Sequence, residues 1–249
     1  MLVLVQPRTG LRWKKTYISH TYSPQSCDLV VNISTALSSK VRPGKQHSTA
    51  SATMSSQSRP PNPGQLATSL PGLTAHIVGH DKEGKAVVQE SRPAKWSIYD
   101  GDQMAFNVVY TTSEFPTNLN DDKDIKAHDN LMSSGKLGLV NSNGTVCRVV
   151  DFAPNYECIM HRTQSIDYGI VLEGSIELVL DSGERKLMQR GDVAVQRATM
   201  HSWNNPSQTE WARMIFVLQD SQKLEIGGQV LKEDLGRGVE GLPSSGNDA

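Results

Sequence analysis

The sequence predicts an all-β domain, and three observations carry that expectation. From Leu66 onward the apolar residues come in short runs, such as "TAHIVG", "MAFNVVYTT" and "WARMIFVL", of the length that strands usually have. Turn-forming clusters such as "HDKEG", "YDGDQ" and "DSGE" separate them, and their Gly and Asp residues supply the backbone freedom that chain reversals need. No segment between them sustains a long helical period. Short strands at that spacing, without long helices, build a sandwich or a barrel.

Taken in order, "TAHIVG" and "KAVVQES" flank "HDKEG" as a hairpin, and "MAFNVVYTT" follows as the next strand. The acidic stretch 118–129 is expected to be a solvated loop. It resembles a calcium loop superficially but lacks the turn glycine and the twelfth-position Glu that such a loop requires. "KLGLV" and "TVCRVVDF" straddle Asn143-Gly144, a dipeptide suited to a hairpin turn because both residues tolerate positive φ. The long segment "DYGIVLEGSIELVLDSGERKLMQRGDVAVQ" supplies further strands, with Gly174 at a turn where positive φ is expected. "WARMIFVL" closes the domain. After Lys223 the chain turns polar and Gly-rich, predicting a mobile tail with one short helix around Val230 to Leu235. The expected organisation is a leader over 1–65, a β-barrel over 66–220 and a polar C-terminal tail over 221–249.

Composition narrows the function classes. Apolar residues make up 37% of 249, enough for one core, and no run of eighteen exists to cross a membrane as a helix. A net charge of -1 gives no electrostatic reason to expect a nucleic-acid partner. The first sixty residues differ from the rest: eight Lys or Arg stand against the single acid Asp28, in text rich in Ser, Thr, Pro and Gly that cannot offset ordering entropy. A disordered leader, or a true translation start at Met54, is preferred here to a mitochondrial targeting segment, so a cytoplasmic location is expected. Cys27, Cys147 and Cys158 show no CxxC spacing, so free, mostly buried thiols are expected rather than a disulfide framework.

The chemistry lies in two stretches, "PNYECIMHRTQSIDYGIVLEG" and "RGDVAVQRATMHSWNN". His161 and Thr163 are two apart and share a face on a strand, as do Asp167, Gly169 and Val171. Polar residues on the inward parity of a barrel are costly unless paired or functional, so His161 and His201 are expected to share a pocket. His20, His47, His76, His80 and His128 have no such context.

These stretches resemble the two cupin motifs. His161 matches the first His of motif one, Thr163 stands where the second His belongs, Asp167 replaces Glu, and Gly174 ends it. Gly191 opens motif two, His201 is its histidine and Asn205 follows four places later, while Gln196 replaces the usual Pro. The resemblance implies a double-stranded β-helix, the cupin jelly-roll barrel, and a homodimer. His161, Asp167 and His201 would form a two-His-one-carboxylate set able to hold Fe(II), or Mn, Ni or Zn. Thr163 is a poor ligand and Asp is shorter than Glu, so a metal-free site using the histidines for proton transfer stays open. Thr163, Gln164, Gln196, Trp203 and Arg213 are the candidate substrate-binding residues.

The fuller run "HRTQSIDYGIVLEG…ELVLDSGE…RGDV" is similar to a group of small single-domain fungal cupins described as cupin-domain oxidoreductases and associated with polyketide biosynthesis. That resemblance implies an oxidoreductase or oxygenase tailoring a small aromatic or polyketide-derived molecule. A metal-free dehydratase, isomerase or decarboxylase, and a non-catalytic ligand-binding cupin, are the alternatives.

Overall fold

The computed structural model describes residues 59–247. The expectations for the leader, with Cys27, His20 and His47, concern residues outside that range. The described elements run β1 (Thr74–His80), β2 (Ala86–Pro93), β3 (Ser97–Tyr99), β4 (Met104–Thr112), α1 (Lys123–Ser134), β5 (Thr145–Phe152), β6 (Ser165–Glu173), β7 (Ser175–Leu180), β8 (Arg185–Gln189), β9 (Val193–Arg197), β10 (His201–Asn204), β11 (Ala212–Asp220), β12 (Leu224–Ile226) and β13 (Gln229–Leu231).

Two sheets face one core. One has six strands in the order β3-β4-β5-β11-β6-β9 and the other three, β10-β7-β8, all pairs antiparallel. Alternation decides what each strand turns inward. Val146, Val150 and Phe152 of β5 share a buried parity, as do Ala212, Met214, Phe216 and Leu218 of β11. Ile176, Met188 and Trp203 reach the same cluster from the smaller sheet. Gly174, at φ 74°, carries the chain from β6 in one sheet to β7 in the other, a conformation that a side chain would strain.

Gly169 has a different reason. It pairs directly with Phe216, and a Cβ there would lie 2.8 Å from Phe216 Cε1. Gly169→Ala is therefore expected to displace a buried ring and cost about 1–3 kcal/mol, the usual effect of overpacking. Urea unfolding would measure it, and an unchanged midpoint would contradict the packing.

Three local expectations are corrected. The acidic stretch read as a loop contains α1, entered through left-handed Asp121 and Asp122 and ended at Gly135 with φ 67°. It buries only Ile125 and His128; His128 Nδ1 accepts the Thr111 N–H at 3.1 Å, and Tyr110 OH donates to Asp124 at 2.6 Å. A helix held by polar contacts lacks the apolar stripe that periodicity detects. "KLGLV" is not a strand, and β5 pairs with β4 and β11 instead. Gly144 is needed for close approach, since a Cβ would fall 1.9 Å from the Thr112 oxygen. The third correction concerns 230–235, where β13 and an extended segment replace the expected helix. Residues 232–247 lie on the barrel rather than away from it: Asp234 and Arg162 exchange backbone bonds at 2.8 and 2.9 Å, and Val239 is buried.

Candidate active site

His161 and His201 are brought together by backbone pairing. Their main chains exchange both N–H···O bonds, at 2.8 and 2.9 Å, and directly opposed residues in an antiparallel pair project to the same side. The imidazole centroids are 4.4 Å apart. Each ring is oriented by the main chain two residues before it: His161 Nδ1 lies 2.9 Å from the Ile159 oxygen and His201 Nδ1 2.9 Å from the Thr199 oxygen. A carbonyl oxygen only accepts, so both Nδ1 atoms carry the hydrogen and both Nε2 atoms keep a free lone pair. Burial pushes both imidazoles toward the neutral form, His201 down to about 3 with neighbouring His161 adding to the effect. Trp203, two residues along β10, meets His201 edge-on at 5.4 Å.

Asp167 lies on the inward parity of β6 with Ser165. Its two oxygens are occupied: the Thr163 hydroxyl donates to Oδ2 at 3.0 Å and the Ser165 hydroxyl to Oδ1 at 2.5 Å. Burial pushes its pKa up to about 6, against the pull of those two hydroxyls and of Arg148. Gln196, its cross-strand neighbour on β9, has its side-chain oxygen bonded by the Thr199 hydroxyl.

His161, Thr163, Asp167, Gln196, His201 and Trp203 all line one cavity. Apart from Arg148 and Cys158 the rest of its wall is apolar, including Phe106, Phe152, Ile159, Phe216 and Leu218, with Val239 and Leu242 added by the C-terminal segment. In the described conformation it offers about 60 Å³, well under the roughly 300–1,000 Å³ of sites for drug-sized ligands.

Two expected substrate contacts lie elsewhere. Arg213 has the outward parity of β11 and is opposed to Asp151 of β5. The pair is bidentate at 2.6 and 2.8 Å, fully buried, with a further bond to the Pro71 oxygen and Trp96 against the guanidinium. Residues before β3 cover what would otherwise be a surface ion pair. Gln164 instead anchors the C-terminal segment, donating to the Asn247 oxygen at 2.8 Å. The residue that sequence reasoning missed is Arg148. It sits between Val146 and Val150 on the inward parity of β5, lines the cavity and is 3% exposed. An arginine on the apolar parity of "TVCRVVDF" was the signal that could have found it.

No family model matches the chain. Among curated proteins, "Phomopsin biosynthesis cluster protein D" of Diaporthe leptostromiformis is 42% identical over 172 residues, which is 69% of this chain and 90% of that protein. "Cupin-domain-containing oxidoreductase virC" of Hypocrea virens is 44% identical over 162 residues, 63% of this chain and 81% of its own. "Cupin-domain-containing oxidoreductase fogC" of Aspergillus ruber is 39% identical over 170 residues, 67% and 82% of the two chains. The chain belongs to this fungal cupin-domain family. A solved cupin 2 conserved barrel domain protein from Salinispora arenicola is 27% identical over 30% of this chain and 63% of its own, with a TM-score of 0.29, too partial a likeness to carry inference.

The donor set of this cupin site differs from the usual motif set in one ligand and in the way its carboxylate is held. Thr163 occupies the place of the second motif His and spends its hydroxyl on Asp167, whose other oxygen is taken by Ser165. The two imidazole Nε2 atoms are free donors, while each Asp167 oxygen accepts one hydroxyl and keeps a further lone pair. Among the described residues, no group of three or more His, Cys, Asp or Glu side chains is arranged to hold a metal ion. Cys158, which also lines the cavity, is held as a thiol by burial that pushes it up to about 12. No helix among the described residues is long and apolar enough to cross a membrane.

Proposed function

We propose that this cupin-fold biosynthetic enzyme catalyses a proton transfer on a small, apolar, aromatic or polyketide-derived molecule, of the isomerase or dehydratase kind. The observation that carries the reading is the imidazole pair, each ring fixed by an Nδ1–H bond to a carbonyl so that Nε2 is left free in a largely apolar cavity. In an isomerisation of a β,γ-unsaturated carbonyl compound, one Nε2 takes a proton from the carbon between the two groups, the electron pair spreads into a dienolate, and the proton returns at the far carbon of the former double bond. Atoms and electrons balance without a further reactant. Thr163, Asp167 and Gln196 shape the polar end of the cavity and Trp203 its aromatic wall. A flat guest needs more room than the described cavity gives, and Val239 and Leu242 are the wall that yields in this reading.

Turnover of substrate deuterated beside its carbonyl tests it. A primary isotope effect, with the deuteron moved to the other carbon or exchanged into solvent, is the expected result, and product that keeps its deuteron at the original carbon speaks against enolisation.

The relatives' names favour a second reading, a metal-dependent oxidoreductase or oxygenase. In it Asp167 would join His161 and His201 around Fe(II) or a similar divalent ion, with Thr163 and Ser165 orienting the carboxylate. A homodimer and a cytoplasmic location complete the proposal. Exposed Tyr168, Val193 and Val195 on β6 and the edge strand β9 support the pairing.

A further inference from the structure

Arg148 is a buried cation in the cavity wall that takes no part in the proton transfer between imidazole and guest. It is buried on the inward parity of β5, beside Val146 and Val150 and opposed to Phe216 of β11. A guanidinium in such a place ordinarily has a carboxylate partner, as Arg213 has Asp151. Arg148 has none among the described residues. Its Nη2 donates to the Gly138 and Leu139 oxygens, 2.7 Å each, while Nε is buried without any acceptor. The Phe106 ring lies 5.2 Å from the guanidinium carbon. Asp167 is near enough for each to shift the other's charge equilibrium, yet no hydrogen bond joins them, and Asp167 accepts from Thr163 and Ser165 instead. Burial lowers the Arg148 pKa to about 10, so the cation persists at neutral pH. A buried cation with an orphaned donor is expensive unless something supplies the missing acceptor.

We propose that Arg148 is the substrate-recognition residue of this cavity, receiving an oxyanion on an otherwise apolar guest: a carboxylate, a phenolate, or the enolate oxygen formed in turnover. Guanidinium groups match such oxygens in charge and geometry. The proposal deepens the proton-transfer reading, because an enolate needs positive charge at its oxygen while an imidazole holds the proton. It also rests on that reading for one point only, that this cavity is the substrate site.

The test uses the full chain and two aryl probes of similar shape, benzoate and neutral benzamide, with binding followed by tryptophan fluorescence, since Trp203 lines the cavity. Wild type should bind benzoate about tenfold or more tightly than benzamide, the range expected of a charge-assisted contact. Arg148→Met should abolish the preference by weakening benzoate alone, and Arg148→Lys should restore part of it. If Arg148→Met fails to fold, the wild-type ratio and the Lys variant decide. The His161→Ala and His201→Ala chains should keep the preference, which excludes an imidazolium as the anion's partner. Their keeping it would stand even if their turnover showed the proton-transfer reading to be wrong. Equal binding of the two probes, binding of neither, or a preference surviving in Arg148→Met would overturn the proposal.

Discussion

Replacing His201 by asparagine is expected to lower turnover about 100- to 10,000-fold, the usual worth of a general acid or base. Asparagine fills much of the same space but has no basic nitrogen, so the loss reads chemistry more than packing. His161→Asn should fall in the same range, because the rings are 4.4 Å apart and each is held by its own carbonyl. The double variant should lose little beyond the worse single one, since groups that act as a unit are not additive. Undiminished turnover in both single variants, on the true substrate, would remove the imidazole pair from the mechanism.

Asp151→Asn is expected to cost about 3–5 kcal/mol of stability, the largest single effect on folding foreseen here. The substitution leaves the Arg213 charge buried with one neutral amide oxygen, the Pro71 oxygen and the Trp96 ring as its partners and sets an amide NH2 against the guanidinium. Desolvation of that cation, rather than loss of one attractive contact, dominates the cost. A double variant, Asp151→Leu with Arg213→Met, removes both charges and should recover most of the loss, because buried ion pairs and apolar residues of similar volume are often near equal. Denaturant midpoints of the wild type, the single and the double variant measure this. A single variant within about 1 kcal/mol of wild type, the range of an exposed pair, would show that the ion pair is solvated.

The strands were legible because a buried face imposes a period of two on the sequence, and β6, β9 and most of β11 carry that period. His161 and His201 were legible through motif spacing, which encodes their opposed backbone pairing. What stayed hidden has a common physical cause: contacts made by segments distant in sequence. Arg213 has outward parity and reads as a surface cation, yet the chain around Pro71 and Trp96 covers it. Gln164 sits in the motif but points to a C-terminal segment whose docking nothing in its composition announced. α1 was missed because only Ile125 and His128 face inward, although Gly135 marked its end. Arg148 is the opposite case, since its wrong-for-core residue type on a core parity was readable and overlooked.

The central claim is that chemistry here is done by two imidazoles whose neighbouring carboxylate is committed to Thr163 and Ser165. Metal content of the purified chain, measured together with turnover before and after chelation, tests it most directly. The account predicts less than a stoichiometric amount of any divalent ion and turnover that survives chelation. One equivalent of metal per chain, lost with activity on chelation and lost again in both Asp167→Asn and His201→Asn, would contradict it and establish the metal-dependent reading instead.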